Sequence, residues 1–518
     1  MKQKAPRFTS REQVLMEEFE LIHQALFTDP DDQSGWFYHL WLLDQTIAPD
    51  APFLVSSWPS DGSELLVSSN TCVEGCKPFR LAYNAPHRIF PVVLYFNQVV
   101  KGVNATTVTV ESIFSKNDEL IWQPLSTNNS AEARSWVTYL KIPDVTCNSP
   151  RIYSVKVNLG HSQGLVSSTG FPFSHTYRFG FTLDVSSHGS ECTGSDYDVK
   201  TVDWDDGNFY CSPSLLQNGL PNTPFEQLRI TKDCEPLASK WHIESLSNEI
   251  NLFQELISEM DCKIAKLTVA RLLIARDVIM SREILPTEKR THFVETLQLY
   301  DDLMKLDPSH IGYYKDQRSL VLLDQITSDK ESLAKHCWHH KELASKSVSH
   351  SICVRFDRLS LTRIGSIERI LWVSMLDLSH NELQSIEGLE AMQLLSYLNL
   401  SNNKISSITA LEPLRMIKSL KILDISYNEI GTHSIDTTRY LCASPLSHKF
   451  GSIGSVGEFE HYGNGKIDYW EAMLIFKDLH LTQLSVVGNP ALNESFSLLL
   501  VKLIPSLERF DGRHIWQV

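Results

Sequence analysis

The sequence predicts a multidomain α + β + leucine-rich-repeat protein: a solenoid of helical hairpins, interrupted by a β-sandwich and followed by a leucine-rich-repeat domain. Three observations predict this fold class. A hairpin pattern divided by Asp-Pro occurs near the N-terminus and again 278 residues later (308 − 30). The chain between the copies has the residue pattern of an all-β protein, and the C-terminal third repeats the motif Leu-x-Leu-x-x-Asn.

Residues 1–48 predict the first part of the helical solenoid. One helical face carries Leu15, Phe19, Ile22 and Leu26, Asp29-Pro30 ends that helix, and the next helix carries Trp36, Leu40 and Leu43. The region 236–345 repeats the spacing with Phe293, Leu297, Tyr300 and Met304 before Asp307-Pro308. A single hairpin cannot bury its apolar face alone, so the two copies predict one discontinuous α-solenoid.

Residues 49–235 predict a β-sandwich inserted into that solenoid. Pro, Ser and Gly increase, and short runs of strand-forming residues lie at 107–114, 136–142, 151–158 and 177–184. Such strands between turn signals predict an antiparallel sandwich or barrel. The Cys…Trp…Cys spacing of a disulfide-bonded sandwich is missing, and 186–222 reads as a loop rich in Gly, Ser and Asp.

Residues 352–518 predict a leucine-rich-repeat domain with an insertion at 432–478. Its three full motifs start 22 (398 − 376) and 25 (423 − 398) residues apart, at Leu376, Leu398 and Leu423. The apolar residues of each motif should point inward, and the asparagine amide should satisfy backbone groups at the turn. A degenerate copy begins at Leu359, a further copy at Leu484, and 504–511 resembles a capping segment.

Composition and charge argue against several classes of protein. A net charge of −15 and a pI near 5.7 argue against nucleic-acid binding. The N-terminus lacks the apolar core of a signal peptide, and no apolar run reaches the ~18 residues of a membrane span. Ten scattered cysteines fit reduced thiols better than a disulfide framework. We therefore predict a cytoplasmic protein with protein partners, no nucleic acid and no membrane span.

One stretch carries a family resemblance. The run 29–43, Asp-Pro-Asp-Asp-Gln-Ser-Gly-Trp-Phe-Tyr-His-Leu-Trp-Leu-Leu, resembles a repeat of protein prenyltransferase α subunits. Among these it is most similar to the α subunits of Rab geranylgeranyltransferase, whose plant and animal forms carry an immunoglobulin-like insert and a leucine-rich domain. The resemblance implies that the sandwich at 49–235 is immunoglobulin-like. Family members have further hairpins before this point, so it also implies a plant-like form that is shortened at its N-terminus.

The resemblance implies an enzyme that is active only as a heterodimer with a β subunit. That heterodimer transfers geranylgeranyl from geranylgeranyl diphosphate to C-terminal cysteines of Rab GTPases presented by an escort protein. The resemblance also implies that zinc is bound by the β subunit and not by this chain. The sequence itself shows no Ser-His-Asp motif, no phosphate-binding glycine loop and no dinucleotide fingerprint, so we expect no catalytic residue here.

Four residues of the second helix are candidate contacts with the β subunit or the substrate rim: Trp36, Tyr38, His39 and Trp41. Many family members have arginine at the position that matches His39. A structural interpretation competes with the functional one: Trp36 and Trp41 pack between helices, and His39 is a partly buried hydrogen-bonding group.

Other motifs favour structural explanations. The loop 460–471 resembles a calcium-binding EF-hand loop but has Tyr462 where a ligand oxygen is required. Cys72 with Cys76, and the His-rich run 336–340, lack a second ligand pair for zinc. Asp205-Asp206 and Asp301-Asp302 are predicted to be solvated charges. Two alternative functions remain open, namely a non-catalytic interaction scaffold and a calcium-regulated adaptor.

Overall fold

The computed structural model describes residues 11–30, 32–47, 51–68, 81–84, 89–127, 130–142, 152–160, 163–173, 175–186, 201–211, 240–283, 292–344, 352–432, 475–490 and 494–515. The chain divides into two units. The helical unit comprises residues 1–50, 235–321 and 440–460, and the second unit comprises 51–234, 322–439 and 461–518. The calcium-type loop 460–471 and the Cys72–Cys76 pair lie outside the described residues.

The helical unit joins the two distant parts of the sequence around one core. Its helices are α1 (Arg11–Thr28), α2 (Gln33–Ile47), α3 (Lys240–Glu259), α4 (Lys263–Glu283), α5 (Phe293–Leu306) and the first part of α6 (Ile311–Thr327). One hydrophobic cluster takes side chains from all six, among them Ile22, Trp36, Phe253, Leu267, Tyr300 and Tyr314. Residues 11–47 and 240–321 thus share buried side chains, as the repeated hairpin pattern predicts.

The three hairpin turns of this unit touch one another. Cys262 Sγ in the α3–α4 turn lies 3.9 Å from the carbonyl oxygen of Pro30 in the α1–α2 turn. Lys263 Nζ lies 3.5 Å from Oδ2 of Asp307, which begins the α5–α6 turn. Tyr314 in the first turn of α6 also contacts the α5–α6 turn, because its hydroxyl donates to Asp307 Oδ2 at 3.0 Å. Consecutive hairpins therefore stack with their turns along one edge, which is the arrangement of a solenoid.

Two sheets follow in the second unit, each with five strands among the described residues. Their strands are β1 (Leu54–Trp58), β2 (Glu64–Ser68), β3 (Leu81–Asn84), β4 (Ile89–Lys101), β5 (Val108–Ser112), β6 (Gln123–Leu125), β7 (Ala133–Lys141), β8 (Ile152–Leu159), β9 (Val166–Ser167) and β10 (Tyr177–Ser186). The first sheet has the order β1-β4-β7-β6 with β9 beside β4, and the second has the order β3-β2-β10-β8-β5. Phe90 of β4 contacts Phe181 of β10 at a centroid distance of 6.0 Å, so the sheets share a core.

The expectation of a purely antiparallel sandwich is wrong. Strand β2 pairs in parallel with both β10 and β3. Sequence neighbours joined by tight hairpins must be antiparallel, but β2 and β10 are far apart in the chain, so no hairpin dictates their direction. The immunoglobulin-like character of residues 49–235 stays a prediction.

The leucine-rich region forms a nine-stranded sheet within the described residues. Its strands are, in spatial order, β11 (Phe209–Tyr210), β12 (Cys337–His340), β13 (Ile352–Arg355), β14 (Met375–Asp377), β15 (Tyr397–Asn399), β16 (Ile422–Asp424), β17 (Gln483–Ser485), β18 (Arg509–Phe510) and β19 (Arg513–His514). Strands β13 to β18 are parallel, and the pairs at both ends are antiparallel. Among the described residues, three short helices accompany the sheet: α7 (Lys330–Ala334), α8 (Lys341–Ala344) and α9 (Glu494–Leu503).

The motif asparagines behave as the sequence predicts. Asn403 is buried, its Oδ1 accepts from the amide of Leu383 at 3.0 Å, and its Nδ2 donates to the carbonyl of Leu378 at 3.0 Å. Asn381, Asn428 and Asn489 make equivalent bonds to the preceding repeat. Each asparagine therefore ties one turn to its neighbour, which explains why this residue type recurs in the motif.

The start of this sheet was not anticipated. Residues 209–210 come from the predicted loop and 337–340 from the predicted helical region 236–345, yet Phe209 pairs with His340. A strand of four residues shows no periodicity of its own, and its partner lies far away in sequence. The second unit consequently includes residues 322–344, whereas the boundaries 1–48, 49–235, 236–345 and 352–518 remain predictions.

The sandwich sheets pack against the 3-10 side of the leucine-rich region. Ser56 Oγ donates to the carbonyl of Glu368 at 2.8 Å, and Tyr139 donates to Gln393 Oε1 at 2.8 Å. Both acceptors belong to the segments that return from one strand to the next, so the opposite strand face is left for other contacts. In the described part of the chain, no helix is long and apolar enough to cross a bilayer.

Candidate functional site

Helix α2 separates the four candidate residues into two pairs. Trp36 and His39 are each 1% exposed, whereas Tyr38 is 40% and Trp41 51% exposed. Residues three apart lie on the same side of a helix, so 36 and 39 share the inner face and 38 and 41 share the outer face. The structural interpretation therefore fits Trp36 but not Trp41, and His39 is more deeply buried than the sequence suggests.

Trp36 fastens α2 to the rest of the helical unit. Its indole Nε1 donates to the carbonyl oxygen of Pro30 at 2.8 Å, and its ring lies 5.4 Å from the ring of Phe253 on α3. The hydrogen bond satisfies the one polar atom of the side chain, so the whole indole is buried without an unpaired donor. Trp36, shortly after the Asp-Pro turn, thus fixes the direction of α2 relative to that turn.

His39 belongs to a triad that also contains the buried Glu249 and the partly exposed His23. Oε2 of Glu249 accepts from Nε2 of His39 at 2.8 Å and from Nε2 of His23 at 3.0 Å. The His39 ring lies edge-on to Phe253, at a centroid distance of 4.9 Å. The triad therefore connects α1 and α2 with α3. In the sequence, the β-sandwich separates the first two helices from the third.

Sequence reasoning found His39 but missed its partners. A signal was present, because Glu249 lies among Leu246, Ile250 and Phe253, which form the apolar stripe of α3. An acidic residue on a buried stripe needs a donor, and a buried histidine needs an acceptor. Which two of the 19 histidines meet Glu249 depends on the packing of distant helices.

The charge states of His39 and Glu249 follow from their surroundings. Burial lowers the pKa of His39, although the hydrogen bond to Glu249 opposes this effect. Burial alone would raise the pKa of Glu249, but hydrogen bonds from His23 and His39 hold it below its ordinary value. Near neutral pH the arrangement is an ionised carboxylate that accepts from a neutral, buried imidazole.

The same three residues are a possible metal-ligand set. Their donor atoms all lie within 4.8 Å of one another, and no other such set of three occurs among the residues that the structure describes. However, Glu249 Oε2 already accepts from both imidazoles, so the donors satisfy one another and nothing in the set requires an ion. The triad is best understood as a structural tie.

Acidification is expected to destabilise the helical unit in two steps. The unfolded chain takes up a proton at His39 more readily than the folded chain, so stability falls as the pH drops below about 6.5. The lowered pKa of Glu249 adds a second loss below about 4.5. His39→Gln keeps an N–H donor and cannot titrate, so it should remove the upper step in denaturant unfolding. Equal slopes for both proteins between about pH 5 and 7 would contradict this expectation.

Tyr38 and Trp41 form what we call the outer aromatic surface, together with Glu18 and Leu21. The two rings stack at a centroid distance of 5.7 Å with an angle of 19°. Tyr38 donates to Glu18 Oε2 at 2.7 Å, and this hydrogen bond raises the pKa of Tyr38. Leu21, 62% exposed, lies one turn after Glu18 on α1. The surface is apolar, aromatic and positioned by two helices.

Among the motifs that lie in described residues, the His-rich run and the paired aspartates assemble no site. The run 336–340 lies in or next to strand β12, where His336 contacts the carbonyl of Arg355 and His340 that of Asp203. The prediction of solvated aspartates is incomplete, because Asp206 pairs with Arg355 at 2.6 Å and Asp301 with Arg318 at 2.7 Å.

Comparison with known proteins agrees with this division of the chain. The family model for the protein prenyltransferase alpha subunit repeat matches residues 15–46, which are α1 and α2. A model for leucine rich repeats (2 copies) matches residues 373–413. The candidate residues on α2 therefore lie inside a recognised repeat.

Two plant proteins are similar over almost the whole chain. The geranylgeranyl transferase type-2 subunit alpha 1 of Arabidopsis thaliana is 43% identical over 96% of this chain and 69% of its own length. The subunit alpha 2 of the same plant is 38% identical over 99% of this chain and 70% of its own length. The human geranylgeranyl transferase type-2 subunit alpha is 24% identical over 72% of this chain and 48% of its own.

Proposed function

This chain belongs to the geranylgeranyl transferase type-2 α subunits, which are subunits of a prenyltransferase, and from this membership we propose how it works. The helical unit holds a β subunit. The heterodimer transfers geranylgeranyl from geranylgeranyl diphosphate to C-terminal cysteines of Rab GTPases presented by an escort protein. The observation that carries the proposal is identity of 43% and 38% to two such subunits over nearly the full chain. These relatives do not favour the scaffold alternative.

The outer aromatic surface is the part of α1 and α2 that would contact the β subunit. Exposed tyrosine and tryptophan side chains that are held rigidly are typical of the residues that dominate binding energy at protein interfaces. Tyr38 and Trp41 have this exposure, and their stacking limits the conformational entropy lost on binding. Trp36 and His39 would act from inside, by fixing the direction of α2.

The β subunit would supply the zinc ion and activate the thiolate of the substrate. In this chain Glu249 accepts hydrogen bonds from both His23 and His39, so these three side chains satisfy one another without an ion. The contribution of the α subunit is then to position the catalytic subunit and to offer the surface for the escort protein.

A reducing compartment such as the cytoplasm suits the cysteines. Cys337 and Cys353 are buried free thiols on neighbouring strands. Burial raises the pKa of Cys337 to about 12, so this thiol stays protonated and unreactive. Such cysteines behave as small apolar residues and need no disulfide partner.

Alanine at Trp41 or Tyr38 should weaken binding of the β subunit about tenfold each, because each removes one exposed aromatic contact. The measurement is a titration of labelled β subunit, accompanied by the rate of prenyl transfer to a Rab–escort protein complex. Val294→Ala is the control, since Val294 is apolar and 71% exposed on α5. Affinity within about twofold of wild type for both aromatic variants would refute the contact. A wild-type chain that elutes alone after co-expression with β would favour the scaffold.

A further inference from the structure

The leucine-rich sheet has two faces that bury different residues. On one side Leu376, Leu398 and Leu423 point into the main core. On the other side five residues stand in register across β13 to β17: Cys353, Met375, Tyr397, Ile422 and Gln483. We call this second row, with Arg355 beside it, the strand face. In solenoid proteins such a continuous sheet surface is where binding partners dock.

The strand face is covered by a segment of the same chain. Cys353, Met375 and Ile422 are 0% exposed, and they form a hydrophobic cluster with Val202 and Phe209 that is separate from the main core. Trp204 packs against the same cluster. The cover is residues 201–211, which the sequence had suggested to be a loop.

One side chain of the face binds the backbone of this cover. Oε1 of Gln483 accepts from the amide of Val202 at 3.0 Å, and Nε2 of Gln483 donates to the carbonyl of Val202 at 3.0 Å. A carboxamide that makes both bonds to one residue replaces the pair of hydrogen bonds that a neighbouring strand would make. It recognises extended backbone and not a particular side chain, as in strand-addition binding of peptides.

Charge and aromatic contacts supply the side-chain specificity. Arg355 Nη2 lies 2.6 Å from Asp206 Oδ1, and the same guanidinium lies 4.9 Å over the ring of Phe209. The hydrogen bond from Arg355 lowers the pKa of Asp206, so the pair is ionic at neutral pH. Lys341 Nζ also contacts the carbonyl oxygen of Gly207. The guanidinium of Arg355 thus contacts both an acidic residue, Asp206, and an aromatic residue three positions later, Phe209.

The cover has the conformation of a bound peptide. Its backbone is extended at Asp205, it makes a single turn at 206–208 that is capped by Asp205, and it ends as strand β11 against β12. Asp206 pairs with Arg355, its Oδ2 also lies 3.6 Å from Nη2 of Arg358, and Lys341 contacts the carbonyl oxygen of Gly207. Backbone bonding at Val202 and charge at Asp206 are therefore complementary to the strand face.

We propose that the strand face is a peptide-binding surface for an extended acidic and aromatic segment, that residues 201–211 occupy it in cis, and that a partner protein bearing a segment of the same chemistry displaces them. The features recognised are an extended residue opposite Gln483, an acid at Arg355 and an aromatic ring under the same guanidinium. This surface lies on the leucine-rich sheet, so its function is separate from binding of the β subunit by the helical unit.

The test uses the full chain and a labelled peptide of residues 201–211 with Cys211→Ser. In a release variant, Asp206→Arg with Phe209→Ala, the cis segment loses both side-chain contacts. We expect the peptide to bind this variant about tenfold more tightly than wild type, because an intramolecular competitor at high effective concentration is weakened. Adding Gln483→Ala should abolish that gain, and a peptide carrying the two release substitutions should not bind.

Alkylation of Cys353, mapped by mass spectrometry, reports whether the face is open. In the release variant it should be faster than in wild type, and excess peptide should slow it again. Equal peptide affinity for wild type and release variant, or an open face that does not bind peptide, would overturn the proposal. Alkylation of Cys353 could also stay slow both in the release variant and in wild type with excess peptide. Residues 201–211 would then be attached only for structure, and this result would also overturn the proposal. Binding of the β subunit, measured in parallel, should not change.

Discussion

Trp36→Ala is expected to lower the free energy of unfolding of the helical unit by about 3–5 kcal/mol, the range for removal of a large aromatic side chain from a core. The indole is 1% exposed, packs against Phe253 and satisfies the carbonyl of Pro30. The substitution therefore leaves a cavity and removes the indole donor from the carbonyl of Pro30. Denaturant unfolding followed by far-ultraviolet circular dichroism measures the effect on the helical transition.

Trp41→Ala is the matched control for this experiment. It removes the same side chain from the same helix, but Trp41 is 51% exposed, so its loss should cost less than about 1 kcal/mol of stability. The two tryptophans should thus separate cleanly, with position 36 affecting stability and position 41 affecting β-subunit affinity. Similar losses of stability for both variants would show that the two faces of α2 are not distinct.

Glu249→Ala should cost about 3 kcal/mol, since one substitution removes the acceptor of two imidazole N–H groups. His39 is fully buried, so its donor finds no water, whereas His23 retains partial access to solvent. The expected result is a lower denaturant midpoint together with loss of the pH-dependent step assigned to Glu249. Calorimetric or denaturant unfolding at two pH values measures both effects.

Two variants test this interpretation of Glu249. Glu255→Ala lies on the same helix at an exposed position and should change stability by less than about 0.5 kcal/mol. Glu249→Gln retains an acceptor oxygen and should lose less stability than the alanine variant. If alanine and glutamine at position 249 cost the same, the hydrogen bonds of the triad would not be the source of stability.

The repeated local patterns were predictable because each is read within a few residues. Helical spacing and the Asp-Pro break predict the hairpins of α1–α2 and α5–α6, since apolar residues on one face must be buried. The leucine-rich strands follow in the same way from the fixed distance between Leu398 and Asn403, and their predicted hydrogen bonds are confirmed. The four candidate residues were found as a group for the same reason, but not their division between two faces.

Pairings between distant segments were not predictable. The parallel partners of β2, the meeting of His23 and His39 with Glu249, and the docking of 201–211 on the strand face each join residues far apart in sequence. The sequence shows that some of these residues require a partner, as Glu249 does because it lies on the apolar stripe of α3. Many partners could meet that need, and only packing selects one.

Sequence by itself determined the helical hairpins, the β-rich insert and the leucine-rich repeats, together with their order, because periodicity and motif spacing are local properties. The resemblance of residues 29–43 indicated the family to which the chain belongs. Tertiary structure alone decided which side of α2 is exposed, which carboxylate receives His39, and which segment covers Met375 and Ile422. The physical reason is that burial and hydrogen bonding are satisfied across space. A residue's environment is therefore set by whatever the fold brings beside it.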